Sequence, residues 1–270
     1  MPTSTRNGVS IHYEVSGAGP ALVLIHANPF DHRLWTYQIA RFSQFFTVIA
    51  VDLRGYGRSE KVETPYTLRD LTQDVLGVCA DEGVERAVFA GVSVGSGIAM
   101  LMGLEHEDIA QAVILVGGST RGPAANLSKI VDGLESAPDL GAYLMGLMKG
   151  YVAPGFAESP TGGWLLNLFV ENQHALSRRA IAQVFTARAT LDMTPLVPAM
   201  RVPTLIINGE FDNSLKAARE TASLIPHAEH VVLPNSGHAC CLEVPAAFDA
   251  AMSGFLQRHG LWPQASLDPA

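Results

Sequence analysis

The chain has 270 residues, of which 48% are hydrophobic and 16% charged, a globular composition long enough to bury a full core and unlike that of a disordered segment. Acidic residues outnumber basic ones, 26 against 18, and the formal charge of −8 repels nucleic-acid phosphate, so no nucleic-acid partner is expected. No stretch approaches the roughly 20 apolar residues of a membrane span, and the opening Met1 to Asn7 lacks a signal peptide's apolar core, which predicts a cytoplasmic protein without membrane contact.

The first strand-like run is Val9 to Val15, where Ile11, Tyr13 and Val15 alternate with polar residues before Gly17-Ala-Gly-Pro20 breaks the pattern. Short, wholly apolar runs follow at Ala21–Ile25, Phe46–Val51, Ala87–Ala90, Ala112–Val116, Thr204–Ile207 and His230–Leu233. Such runs suit strands covered on both faces, as in a parallel sheet. Between them lies helical spacing: Leu68, Leu71, Val75, Leu76 and Cys79 form one stripe, and Pro245 opens a last helix with Phe248, Met252, Phe255 and Leu256 facing inward. The alternation predicts an α/β fold: a mostly parallel central sheet of about eight strands, helices on both faces, and an inserted helical cap. The core is expected over 1–122 and 195–270. Residues 123–194 hold no strand-like run and carry apolar clusters at helical spacing, so they are expected to form the cap.

The chemistry concentrates at Gly91-Val-Ser-Val-Gly95, set between a strand and a helical stretch. A serine there sits on a sharp turn with its hydroxyl pushed out at the sheet's C-terminal edge, and small residues on either side let strand and helix approach. The following amide, that of Val94, lies at a helix N-terminus where an oxyanion would form. A serine hydroxyl needs a base, and the base an orienting acid. Asp212 follows the run Thr204–Ile207 and His238 follows His230–Leu233, so both occupy loops beyond parallel strands, where open α/β sheets place their sites. Glu210 is the fallback acid. His227 and His230 lie at the wrong end of the last strand, His12 is expected to point outward, and His106, His174 and His259 read as surface or capping residues. His32, in the loop after Ala21–Ile25, is within reach of a pocket but precedes the serine. The second oxyanion donor is expected from the backbone of Asn28 in His26-Ala-Asn-Pro29.

These motifs, with Asp52-Leu-Arg-Gly-Tyr-Gly-Arg-Ser59, Gly209-Glu-Phe-Asp212 and Ser236-Gly-His238, resemble those of the α/β-hydrolase fold superfamily. The resemblance covers nearly all of the chain outside the cap. It implies Ser93 as nucleophile, Asp212 as acid, His238 as base, Asn28 and Val94 as oxyanion donors, and the helical insert as lid. Ala27 replaces the glycine common in that loop, and Val92 stands where many members carry His or Gln. The His-x-Asn-Pro stretch is also similar to that of haloalkane dehalogenases, but those enzymes attack with an aspartate at the elbow, and Ser93 argues against such chemistry.

Phe30 and Trp164 are taken as substrate-pocket residues, with Trp35, Phe169, Met145 and Met148 as further candidates for the lining. Cys240 and Cys241 read as packing beneath the histidine loop. The cysteines lack both a disulfide framework and the spacing of a zinc site, and the sequence lacks a Walker motif and a dinucleotide fingerprint, so no metal or organic cofactor is expected. The expected function is serine hydrolysis of a small or medium carboxylic ester through an acyl-enzyme. Enol-lactone opening or hydrolytic C–C cleavage of a dienoate on the same triad is the alternative, and a ligand receptor on a hydrolase scaffold is the alternative from another class. The expected partner is a small ester or lactone, with homo-oligomerisation left open. Few basic residues lie near the motifs, but Arg178, Arg179 and Arg188 in the cap could reach inward.

Overall fold

A computed structural model describes residues 2–5, 8–122, 126–171 and 175–263. The sequence reading of His174, of the first residues of the cap and of the extreme C-terminal tail lies outside the described residues. Eight strands form one sheet: β1 (Thr3–Ser4), β2 (Ile11–Ser16), β3 (Ala21–Ile25), β4 (Thr47–Val51), β5 (Ala87–Val92), β6 (Ala110–Val116), β7 (Thr204–Gly209) and β8 (Glu229–Leu233), in the spatial order β1-β2-β4-β3-β5-β6-β7-β8. β1 and β2 run antiparallel to their neighbours, and the other strands are parallel. The expectation of a mostly parallel sheet of about eight strands is met. The two-residue β1 has no hydrophobic run to announce it and is held by pairing Thr3 with His12 and Ser4 with Ile11.

Side chains alternate across the sheet. Val23, Ile25, Ile49 and Val51 join one core with α2 (Leu68–Asp81) and α3 (Val94–Glu105). Leu22, Leu24, Val48 and Ala50 join the other with α1 (Thr36–Phe42), α9 (Cys240–Glu243) and α10 (Pro245–Arg258). Burial on both faces is what makes these runs apolar without a break. Thr67 and Asp70 cap α2 reciprocally, Thr67 N donating to Asp70 Oδ2 at 2.7 Å and Asp70 N to Thr67 Oγ1 at 3.2 Å. The last helix opens at Pro245 and buries Phe248, Met252, Phe255 and Leu256, the stripe read from the sequence. Among the described residues, four α-helices lie between β6 and β7: α4 (Leu127–Ser136), α5 (Leu140–Lys149), α6 (Pro160–Asn167) and α7 (Arg178–Ala189). α8 (Leu215–Leu224) connects β7 to β8. Among the described residues no helix is long and apolar enough to cross a membrane.

Candidate active site

Strand β5 runs through Val92, and Ser93 then takes φ 56° and ψ −107°, in the positive-φ region that L side chains rarely adopt, before α3 begins at Val94. The turn closes because its neighbours are glycines. A Cβ on Gly91 would lie 2.0 Å from the Gly95 carbonyl oxygen, and one on Gly95 would lie 2.3 Å from that of Ile25. Ser93 N donates to Val116 O at 2.8 Å, tying the elbow to the end of β6. Ser93 keeps partial exposure, whereas its neighbours in α3 are buried.

The acid and base come from the ends of the next two strands. His238 Nδ1 and Asp212 Oδ1 are 2.9 Å apart. Asp212 is buried and fixed further by Ser214 N on Oδ1 and by Asn208 Nδ2 on Oδ2, both at 2.8 Å. Burial alone would raise the Asp212 pKa, but the charge and hydrogen bond of His238 outweigh it and hold the carboxyl well below its ordinary range. Burial likewise favours neutral imidazole at His238, yet Asp212 lifts it above the usual histidine value. An accepting Asp212 oxygen places the proton on Nδ1 and leaves Nε2 as the basic nitrogen.

His238 is anchored by its own N–H, donated to Tyr151 O at 2.7 Å, and its ring packs over Gly117. Gly117 directly follows Val116, the residue that holds Ser93, so imidazole and elbow share adjoining strand ends. Among the described residues Ser93 Oγ makes no hydrogen bond to His238. The fallback acid Glu210 is exposed and accepts from Asn235 N at 3.1 Å instead.

Asn28 and Val94, the expected oxyanion donors, follow β3 and β5, and neither amide donates to a backbone carbonyl among the described residues. His26 shapes the Asn28 loop. Its Nδ1 donates to Ala27 O and its Nε2 accepts from Leu53 N, both at 2.9 Å, so the buried ring is held neutral. Phe30 is buried and meets Phe169 edge-on at 4.9 Å between ring centroids. Trp164, by contrast, is 62% exposed on α6 and lines neither of the two described clefts. Trp35 is buried against Phe248, away from solvent. Arg188 is buried, donates to Ser119 O, and has its pKa pushed down to about 10 by burial. Cys240 and Cys241 are buried, and burial pushes both thiols upward.

Sequence reasoning missed several supporting groups. His230, set aside as lying at the wrong end of its strand, reaches Asn208 Oδ1 at 3.0 Å and so buttresses the amide that holds Asp212. Glu243 accepts from Gly237 N at 2.9 Å and Ala153 N at 2.6 Å, pinning the histidine loop to the chain after α5. Only Asn208, the residue that ends the apolar run Thr204–Ile207, carried any signal. His12, expected to face outward, is buried instead, because β2 is covered by the loop after β3.

A model of the alpha/beta hydrolase family matches residues 22–251. The chain is 26% identical over 261 residues to a pimeloyl-[acyl-carrier protein] methyl ester esterase of Vibrio atlanticus, covering 92% of this chain and 99% of that relative. It is 27% identical to a 2-(acetamidomethylene)succinate hydrolase of Mesorhizobium japonicum, with 85% of each chain covered. Among solved structures it is similar to the enol-lactonase of Burkholderia xenovorans LB400, with a TM-score of 0.88, 26% identity, and coverage of 95% of this chain and 100% of that one. A match to the family model over most of its length, on the eight-stranded sheet just described, establishes that the chain belongs to the alpha/beta hydrolase family.

Proposed function

We propose that the protein is a serine hydrolase that cleaves a small or medium carboxylic ester through an acyl-enzyme on Ser93. The observation that carries this reading is the hydrogen-bonded pair of buried Asp212 and half-buried His238 near the elbow that strains Ser93. His238 Nε2 takes the Ser93 proton as Oγ attacks the carbonyl carbon. Asp212 keeps the Nδ1 tautomer and stabilises the imidazolium. The amides of Asn28 and Val94 receive the developing oxyanion, each contributing about 3 kcal/mol to lowering the barrier. The protonated His238 then donates to the departing alkoxide, and a water activated by the same imidazole clears the ester. The Ser93–His238 hydrogen bond closes when substrate binds, since catalytic hydrogen bonds are often long in unliganded enzymes.

In this reading residues 123–194 are the lid, Phe30 lines the substrate pocket, and exposed Trp164 sits at most on its rim. The buried thiols fit the cytoplasmic location expected from the sequence. Lactone opening is the second reading, favoured by the similarity to an enol-lactonase, and it uses the same steps on a cyclic ester.

A panel of p-nitrophenyl esters, enol-lactones and ring-fission dienoates, assayed with wild type and Ser93→Ala, tests the proposal. Ester or lactone turnover that disappears in the variant supports it. Turnover of dienoates alone overturns the ester reading, and a folded wild type inert on all three classes leaves the receptor reading in its place.

A further inference from the structure

Helix α7 brings a positive charge against the first turns of α3. Its Ala180 and Val184 cover the loop after β4, where a Cβ on Gly55 would lie 3.2 Å from Ala180 O and 3.4 Å from Val184 Cγ2. One turn further along the same face comes Arg188. A Cβ on Gly97 would lie 3.0 Å from Arg188 Nε and 3.2 Å from its Cδ. Gly97 N donates to Ser93 O at 3.2 Å, so the guanidinium meets α3 one helical turn from the nucleophile. Arg188 Nη2 donates to Ser119 O. Ser119 lies two residues past Gly117, over which His238 packs. Gly118, between them, lies against the Ser96 side chain, whose hydroxyl donates to Ser93 O at 2.6 Å. Arg188 thus bridges the helix that begins at the nucleophile and the segment that seats the base.

Among the described residues nothing balances this charge. Arg188 is only 4% exposed, and its Nη1 is buried without a hydrogen-bond partner. Burial lowers its pKa, and no acidic group offsets the effect. Arg54, the other buried guanidinium, is met instead by both carboxylate oxygens of Asp74. An unpaired charge inside a protein is strongly destabilising, and folded chains pair or neutralise almost all of them. A buried donor left over in this way marks a place where another group belongs.

The planar fork of arginine fits the two oxygens of a carboxylate or of a phosphate. No second cation acts on Arg188, so one guanidinium suits a singly charged carboxylate better than a phosphate dianion. The distance along α3 from Gly97 to Ser93 is one turn, about 5.4 Å, which a chain of roughly two to four methylenes spans.

We propose that Arg188 is a specificity-determining residue that binds a free carboxylate of the substrate, so that the ester or lactone opened at Ser93 carries a second, ionised carboxyl group. The inference rests on the serine-hydrolase reading and narrows its substrate class. The substrate's carboxylate supplies the counter-charge that the chain lacks, and its pairing with Nη1 holds the scissile carbonyl at the elbow.

The test compares matched esters on the full chain: monomethyl succinate, glutarate and adipate against methyl butanoate, pentanoate and hexanoate, which put a methyl group where the carboxylate stands. Wild type is expected to favour at least one carboxylate ester over its neutral partner by ~100-fold in kcat/KM, chiefly through KM. Arg188→Gln is expected to reduce that ratio to about 1, and Arg188→Lys to restore part of it. A merely structural arginine would lower both esters together and leave the ratio alone. Arg179→Gln removes a charge from the exposed side of α7 and is expected to keep the ratio within about threefold of wild type. Where Arg188→Gln fails to fold by circular dichroism, Arg188→Lys and the wild-type ratio decide. Calorimetric titration of Ser93→Ala with succinate, glutarate and adipate separates this inference from the hydrolase reading, since one equivalent of at least one of them is expected to bind whether or not Ser93 is the nucleophile. Neutral esters turned over as well as every carboxylate ester, a ratio unchanged in Arg188→Gln or Arg188→Lys, or no dicarboxylate bound by Ser93→Ala overturns the assignment.

Discussion

Gly117 and His238 fit together with no room for a methyl group between them. A Cβ placed on Gly117 would lie 2.5 Å from His238 Cε1 and 2.6 Å from Nδ1, and the glycine's own φ of +57° already favours a residue without one. Gly117→Ala is therefore expected to push the imidazole off the elbow. An error of about 1 Å in a catalytic group can cost ~10²-fold in rate. Steady-state kinetics should show a fall in kcat of that order while circular dichroism still reports a folded protein. Unchanged kcat would mean that the imidazole does not work from this position.

Asp212→Asn should keep the shape of the site and lose its function. The amide presents a donor where His238 Nδ1–H needs an acceptor, which favours the wrong tautomer. A fall in kcat of about 10⁴-fold is expected from the equivalent loss in serine triads. Glu210→Gln is the matched comparison. Glu210 bonds Asn235 N rather than His238, so its removal should leave kcat within a factor of about 3.

The same pair sets the pH dependence. The base must be neutral to accept the serine proton, and Asp212 holds the His238 pKa above 6.5, so kcat/KM should rise through an apparent value above 6.5. In Asp212→Asn that limb should move to lower pH. Stability follows the opposite partner on each side. The Asp212 carboxyl, depressed from 3.8, contributes stability that is complete above that value and lost as pH falls below it. His238, raised from 6.5, contributes stability that is complete below that value and lost as pH rises through the folded value. Urea midpoints measured from about pH 2 to pH 9 should show the acid loss, and Asp212→Asn should flatten it.

Arg54 and Asp74 form a buried bidentate pair at 2.6 and 2.7 Å beneath the loop after β4. Asp74→Ala leaves the guanidinium buried without its counter-charge and should cost about 3–5 kcal/mol in chemical denaturation. Replacing both, Arg54→Met with Asp74→Leu, should recover most of that loss, because the two desolvation penalties disappear together.

Gly146 lies exposed within α5, and a Cβ there meets nothing within 4 Å. Gly146→Ala should raise stability by about 0.5–1 kcal/mol through the reduced entropy of the unfolded chain, with kcat unchanged. A thermal melt read beside an esterase assay checks both halves of the expectation.

Much of the architecture was legible because the sheet is buried on both faces. Ala21–Ile25 reads as a strand from its apolar run alone and is a strand over those same residues. β5 was legible only to Ala90, since the glycine and valine that complete it also belong to the elbow motif. β1 was invisible, because two residues carry no period and its pairing is a tertiary event. Around the site, strand-end position identified Asp212 and His238, whose contact needs the chain to cross from β7 to β8. The buttressing of Asp212 by Asn208 and His230 was not legible, because it depends on side chains meeting across two strands rather than on spacing along one. The exposure of Trp164 was not legible for the related reason that helical spacing gives a stripe but not the direction it faces.

The most direct measurement is intact-mass analysis after treatment with a fluorophosphonate, followed by peptide mapping of wild type, Ser93→Ala and His238→Ala. The expected result is a single adduct on Ser93, absent in the first variant and formed far more slowly in the second. A folded wild type that takes up no label, or a label carried on another residue while Ser93→Ala keeps full esterase turnover, would contradict Ser93 as the nucleophile.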